Sequence, residues 1–327
     1  MLYIHGLGHF HPENVIDNAF LESLDIGTND KWIVDRVGIK TRRTVLPLDY
    51  IRTTKNKDLR GAMEARLYSN AECSRRAALM AIERAGITPQ DIGFVFGGSS
   101  SPDTCIPGES FEVAKALGIE VRCIDIATAC TTFGSHAYVA ERMGDSLPEY
   151  VLFVVPENTT KVTDFSDRSS AILFGDSTAA AVVSTKVPGR AKVRFSTFGS
   201  SPAGAYEVLI ERLGHFKQNG AAVQKFAIKR MTELLKNIQD SLTEEERARM
   251  LYVGHQANLT MLESVVRRCE IPAERHLHNI IDHGNQAAAG APTVMSMRWN
   301  DFKSNDIVGL VVVGSGLSWA SLAIEFS

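Results

Sequence analysis

Short apolar runs of strand length alternate with amphipathic helices along the whole 327-residue chain, and this rhythm dominates what it can fold into. "DIGFVFGGSS" (91–100), "YVLFVVP" (150–156), "STAAAVVST" (177–185) and "DIVGLVVVGSG" (306–316) carry almost no charge along their length. Nearly continuous apolar runs of this length belong to strands buried on both faces. Between them lie helical patterns. "NAECSRRAALMAIERAGI" puts its apolar residues on one stripe and is closed by Gly86, and "PGESFEVAKALGI" begins with a proline. Residues 219–240 read as one long helix. The alternation predicts an α/β protein whose sheet is covered by helices on both sides.

The rhythm occurs twice. Each half runs strand, helix, strand, helix and then two closing strands, which predicts an internal duplication with little residue identity left. The halves are placed at 1–186 and 187–327. Across the boundary "STAAAVVST" and "AKVRFSTFG" read as paired strands, and in the first half the basic stretch 44–62 reads as an inserted surface loop. Hydrophobic residues make up 44% and charged residues 22%, the balance of a globular protein rather than a disordered one. A net charge of −3 offers no basic field to a nucleic acid, and no apolar run is long enough for a membrane span. The five cysteines are odd in number and scattered, with no CxxC pair, so neither a zinc site nor a disulfide framework is indicated. With no apolar leader in "MLYIHGLGHF", a reducing cytoplasm is the expected location.

One cysteine stands apart. In "CIDIATACTTFGSHAYVAERM" a strand-like run stops at small residues, and Cys130 follows where a helix begins. The partial positive charge of a helix N-terminus favours thiolate, the nucleophilic form, so the position predicts a reactive thiol. The plainer alternative is a buried structural cysteine, the expected fate of Cys73, Cys123 and Cys269. Two further segments favour reactivity. "YVGHQAN" places His255 directly after a strand, and "DHGNQAAAGAP" places Asn285 in a glycine-flanked turn. A thiol, an imidazole and a carboxamide at the mouth of a sheet are the parts for acyl-thioester chemistry. The thiol takes the acyl group, while a neutral imidazole and an amide N–H steady an enolate oxygen, with no metal required.

With these residues the chain resembles the β-ketoacyl-ACP synthase III group of the thiolase superfamily. The resemblance rests on "GTNDKWIVDRVGIKTRR", "ATACTTF", "SDRSSAILFGDSTAAAVV", "VGHQANL", "DHGNQAAAGAP" and "GSGLSWASLAIEF", in that order. It implies the thiolase-like five-layered αβαβα fold from two duplicated halves, a homodimer, and a Cys130–His255–Asn285 triad. It further implies an oxyanion hole made by the backbone N–H groups of Cys130 and Ser315. Trp32 and Arg168 match the pair that clamps the adenine of coenzyme A, Arg36 lies in the same region, and Thr28 matches a residue at the tunnel mouth. Acyl-CoA is then a substrate rather than a bound cofactor. A malonyl or β-ketoacyl thioester is the second substrate, and the phosphopantetheine of an acyl carrier protein is one carrier for it. The basic stretch, with Arg42, Arg43, Arg52, Lys55 and Lys57, is offered to coenzyme A phosphates or to an acidic carrier helix, against the plainer reading of a solvated loop.

Departures from the family pattern accompany this resemblance. The arginine that commonly docks the carrier protein is replaced by Thr260, with Arg267 and Arg268 nearby. The nucleophile is followed by Thr131 and Thr132, Gln286 follows Asn285, and the residue expected to gate the acyl pocket is Ile106. These differences suggest a specialised fatty-acid or polyketide-type condensing enzyme. The alternative is an acyltransferase that passes the acyl group to an alcohol, amine or carrier thiol without decarboxylation.

Overall fold

The computed structural model describes all residues 1–327. Its strands are β1 (Leu2–Phe10), β2 (Asn14–Asp17), β3 (Thr41–Thr44), β4 (Ile92–Gly97), β5 (Arg122–Asp125), β6 (Tyr150–Glu157), β7 (Ser177–Ser184), β8 (Ala191–Ser200), β9 (Val208–Ile210), β10 (Phe216–Gln218), β11 (Leu251–Gly254), β12 (His276–Leu277), β13 (Ile307–Gly314) and β14 (Ser318–Phe326). Ten of them form one hydrogen-bonded succession, β12-β11-β13-β14-β8-β1-β7-β6-β4-β5. β2 with β3 and β9 with β10 make two small separate ladders.

The succession divides at the β1–β8 contact into two leaves of identical order. Counting the strands of each leaf along the chain, both read third, second, fourth, fifth, first. In each leaf the first three strands from the outer edge are parallel and the last two join antiparallel. "STAAAVVST" and "AKVRFSTFG" do not pair with each other, contrary to the sequence expectation. Both pair with β1, which lies between them and separates β7 from β8. A short turn after an apolar strand resembles a hairpin locally, and only the distant N-terminal strand reveals the insertion.

Three apolar clusters define the layers. Ala77, Ala81, Val113 and Ala114 from the helices Asn70–Ala85 and Glu109–Leu117 cover the outside of the first leaf at Val95, Leu152 and Ala180. Met231, Leu235, Leu262 and Val265 from the helices Gly220–Asp240 and Leu259–Arg268 cover the second leaf at Tyr252 and Val311. Between the leaves, Phe133 and Ala137 of helix Thr132–Met143 and Val294 and Met295 of helix Gly290–Met297 pack against strands of both. The result is the five-layered αβαβα thiolase fold. No helix is long and apolar enough to cross a membrane.

Two local expectations change. Residues 44–62 are not an open loop: they contain helix Leu48–Thr54 and the start of helix Leu59–Ala65, anchored by the buried Ile51 and Ala62. Arg42 is fully buried and donates to Ile172 O and Asn18 Oδ1, so it braces the core rather than meeting phosphates. The strand-like run before Cys130 does form a strand, β5, although not a buried one. It is a largely exposed edge, because nothing in one chain pairs with its outer side.

Gly134 controls how closely the helix after Cys130 approaches the second leaf. A Cβ there would collide with Ala320 Cβ of β14. We expect Gly134→Ala to destabilise the protein by about 1–3 kcal/mol through overpacking, read from the urea midpoint, and to slow modification of Cys130 as the helix is displaced. An unchanged midpoint would show that the two layers separate freely.

Candidate active site

The six candidate functional positions of the cavity follow the C-terminal ends of the six parallel strands, where α/β folds leave their loops free for ligands. Ser100 follows β4, Cys130 follows β5, and Thr159 follows β6. His255 follows β11, Asn285 follows β12, and Ser315 follows β13.

Cys130 sits two residues before helix Thr132–Met143. The chain turns through Ala129, whose φ is +52°, a conformation that only a small or locally stabilised residue tolerates well. Hydroxyl groups hold this turn. Thr131 Oγ1 donates to Thr128 O (2.6 Å), Thr132 Oγ1 donates to Ala129 O (2.7 Å), and the Thr128 N–H donates to Thr132 Oγ1 (3.0 Å). Thr131 Oγ1 also meets Ser318 Oγ at 2.8 Å, tying the turn to β14. Thr131 and Thr132 are therefore braces, both fully buried, rather than substrate contacts.

Two adjoining chambers meet at the thiol. One, about 170 Å³, is largely apolar and is lined by Val162, Phe174, Val208, Ile210 and Phe216 together with Ser100, Thr159 and Ala287. The other, about 80 Å³, brings His255 and Asn285 to Cys130. Ser315 lines both. The structure thus gathers four of the sequence-predicted residues around one space.

The electrostatics differ from the sequence expectation at the nucleophile. Burial pushes the Cys130 thiol up to about 12, the Glu157 carboxylate adds to the effect, and the residue's own N–H opposes it only weakly. Desolvation outweighs the helix terminus, so the resting group is a thiol and not a thiolate. His255 behaves as expected. Burial alone lowers it to about 4, which leaves a neutral imidazole, and its Nδ1 is buried without a partner. The Asn285 carboxamide has one orientation fixed by chemistry. Its Oδ1 accepts the Ala287 N–H at 2.9 Å, so the Nδ2 end remains as a free donor. The Asn285 backbone is held in turn by Leu173 O and by the Gly175 N–H.

Two backbone donors complete the setting. The N–H groups of Cys130 and Ser315 donate to no backbone carbonyl within the chain. They lie on segments brought together at Gly314, where a Cβ would stand 3.0 Å from Cys130 N and 3.2 Å from Thr131 N. The Ser315 side chain does not crowd them. Its Oγ donates to Val208 O at 2.7 Å and anchors the β9–β10 hairpin over the apolar chamber.

The remaining predicted residues lie elsewhere. Trp32 and Arg36 belong to helix Asp30–Val37, whose N-cap Asn29 accepts the Trp32 N–H at 2.8 Å. The guanidinium carbons of Arg36 and Arg168 stand 4.6 and 4.9 Å from the indole centroid. Arg168 also donates to Gly27 O at 2.7 Å, beside Thr28, whose hydroxyl is buried and unpaired. Thr260 Oγ1 donates to Arg36 O at 3.2 Å, linking this rim to the helix that follows His255. Ile106 is the exception. Its side chain is 87% exposed and lines neither chamber, so no gate is formed by it within a single chain.

Sequence reasoning missed Glu157, Ser100, Thr159 and the hairpin. Glu157 is fully buried, is raised to about 8 by burial, and accepts from the Ser100 N–H and Oγ. Its signal was available, since "YVLFVVPE" ends an otherwise apolar strand in an acid. The hairpin has no such mark, because Val208, Ile210 and Phe216 acquire meaning only when folded over the chamber. No group of three or more His, Cys, Asp or Glu side chains could hold a metal ion.

The comparisons with known proteins agree with this architecture. Residues 124–202 match the family described as 3-Oxoacyl-[acyl-carrier-protein (ACP)] synthase III, and residues 246–326 match its C-terminal counterpart. The chain is 31% identical to the beta-ketoacyl-[acyl-carrier-protein] synthase III of Oceanobacillus iheyensis, over 98% of this chain and 97% of that protein. It is 30% identical to that of Staphylococcus haemolyticus, over 99% and 98%. The crystal structure of the Thermus thermophilus synthase III aligns over 99% of both chains with a TM-score of 0.86 and 28% identity. The priming beta-ketosynthase of the R1128 polyketide pathway aligns over 100% and 96% with a TM-score of 0.84, at 24% identity, a likeness of fold.

A thiol raised to about 12 is protonated throughout the neutral range, and its reactive fraction grows tenfold with each pH unit below that value. We expect iodoacetamide alkylation of Cys130, followed by intact-protein mass, to rise steadily from pH 6 to pH 9. A plateau beginning below pH 7 would mean that the helix terminus dominates after all.

Proposed function

Because the chain belongs to the 3-oxoacyl-[acyl-carrier-protein] synthase III family of condensing enzymes, we propose that it joins an acyl group carried on Cys130 to a malonyl or β-ketoacyl thioester by decarboxylative Claisen condensation. The observation that carries this reading is the meeting of Cys130 with a neutral imidazole and a carboxamide whose free end is its N–H₂ group.

The acyl-CoA carbonyl carbon is attacked by Cys130 Sγ. Its oxygen, as it becomes negative, is held by the N–H groups of Cys130 and Ser315, which donate to no backbone carbonyl within the chain. The C–S bond to coenzyme A breaks, and the proton of the Cys130 thiol leaves with the departing coenzyme A thiolate. The malonyl thioester then binds, with its thioester oxygen held by the N–H of His255 and the Nδ2–H of Asn285. Loss of CO₂ leaves an enolate that these neutral donors stabilise more strongly than the ground state. Its carbon attacks the acyl-Cys130 carbonyl, releasing the 3-oxoacyl product and the Cys130 thiolate, which takes a proton from solvent.

Trp32, Arg168, Arg36 and Thr28 serve coenzyme A. The indole and guanidinium planes suit a purine, and Arg168 must lift from the ring to admit one, since 4.9 Å leaves no room for a stacked base. The chain is read as two repeats, 1–186 and 187–327, a division supported by the identical strand order of the two leaves. It acts as a homodimer. Support comes from the open β5 edge and the exposed Ile106, Phe111 and Ile124 beside it, the kind of edge that seeks a second strand. Thr260 spends its hydroxyl on Arg36 O and Asn258 Oδ1, which supports a carrier-protein contact elsewhere, at Arg267 and Arg268, and a specialised role.

We expect Cys130→Ala to abolish the acyl-enzyme seen by intact mass. Asn285→Ala should still acylate but release CO₂ from malonyl thioester about 10²-fold more slowly. Equal CO₂ release by the two proteins would remove Asn285 from the reaction, and acyl transfer to water or an alcohol without CO₂ would favour the non-decarboxylating alternative. Trp32→Ala should raise the KM for acyl-CoA with little change in kcat.

A further inference from the structure

Gln286 follows Asn285 in the chain but lines neither chamber. It is fully buried, and both ends of its carboxamide are engaged. Nε2 donates to Asn279 Oδ1 at 2.8 Å, while Oε1 accepts from His11 Nε2 at 2.9 Å and from Thr293 Oγ1 at 3.0 Å. Asn279 Nδ2 donates in turn to Thr293 Oγ1 at 3.2 Å, which closes a ring of three side chains. Because Nε2 is committed to a carbonyl oxygen, Oε1 is the acceptor end, and the His11 nitrogen facing it carries the proton.

The ring also reaches the other donor. The Asn279 N–H donates to Gln256 Oε1 at 3.1 Å, and Gln256 Nε2 donates to Gly254 O at 2.7 Å. Gln256 is fully buried and follows His255 directly. Three amide residues, Gln286, Asn279 and Gln256, thus bridge the loop carrying Asn285 and the loop carrying His255. No side-chain hydrogen bond orients either donor itself. His255 Nδ1 has no partner, and Asn285 Oδ1 accepts only the Ala287 N–H, in a turn where Ala287 has a φ of +45°. A bridge of buried, satisfied amides is stiff, since breaking one link strands two polar groups away from water.

Resting on the reading of His255 and Asn285 as donors to the enolate oxygen, we propose that Gln286 is a positioning residue for Asn285. Through Asn279 and Gln256 it fixes the separation of two N–H groups that must meet on one oxygen. It touches no substrate. Its influence falls on loss of CO₂, the step that uses both donors. Acylation of Cys130 relies instead on the backbone N–H groups of Cys130 and Ser315 and is spared.

The test measures two rates on the full-length protein. Acylation of Cys130 by acyl-CoA is followed by intact-protein mass, and CO₂ release is followed from malonyl thioesters of coenzyme A and of acyl carrier protein. Gln286→Met, similar in length and shape, should slow CO₂ release about 10-fold while acylation stays within about 2-fold of wild type. Added to Asn285→Ala, the same substitution should slow CO₂ release by less than about 2-fold, because a positioning residue then has nothing left to position. Thr293→Val removes only the hydroxyl that closes the ring. It should slow the same step selectively, and Thr293→Ser should keep the wild-type rate, so the proposal stays testable even if the methionine protein fails to fold. Equal slowing of both steps, an unchanged rate of CO₂ release, or a full additional loss in the Asn285→Ala background overturns it. Absence of CO₂ release by the wild type from either thioester is a distinct result: it refutes the condensing reading itself, and the proposal falls with it.

Discussion

The placement of the nucleophile depends on one close contact between layers. Helix Thr132–Met143 lies between the two leaves, and Gly134 lets it settle against Ala320 of β14. The same strand meets the nucleophile turn through Ser318 and Thr131. Gly314, at the end of the neighbouring strand, admits the backbone of Cys130 close to Ser315. These contacts bring a residue of the first leaf to the loops of the second. Neither leaf alone contains the chemistry, because the thiol follows β5 while the imidazole and carboxamide follow β11 and β12.

The pairing of leaves also sets the electrostatics. Closing the second leaf over Cys130 removes water, which raises the thiol and lowers His255 in the same step. Both groups are driven to their neutral forms. For the imidazole this is what donation to an enolate oxygen requires. For the thiol it means that, in the proposed reaction, the sulfur is unmasked only as coenzyme A departs with the proton. The helix N-terminus is present, but its partial charge is small beside the cost of holding a naked sulfur anion in this space.

Much of the fold was legible from residue patterns. The apolar runs gave the strands, Gly86 and the proline before Glu109 marked helix ends, and the repeated order gave two similar halves. Cys130, His255 and Asn285 were legible as candidates because each sits in a short, chemically distinctive segment that follows a strand in the chain. The insertion of β1 between β7 and β8 was not legible, since pairing across the length of the chain leaves no local trace. Nor was the burial of Arg42, whose partners Ile172 and Asn18 are distant in sequence. Thr159 lay in an ordinary polar stretch, and only its lack of a hydrogen-bond partner sets its buried hydroxyl apart from those of Thr160 and Thr163.

The sequence by itself therefore determined the secondary elements, the layered class and the candidates for the reacting groups, because periodicity and side-chain chemistry are local properties. The tertiary structure alone decided which loops share a chamber, the charge state of the thiol and imidazole, and which hydroxyls remain unpaired. Those follow from desolvation and from partners far apart along the chain, and neither exists until the two leaves close on the central helices.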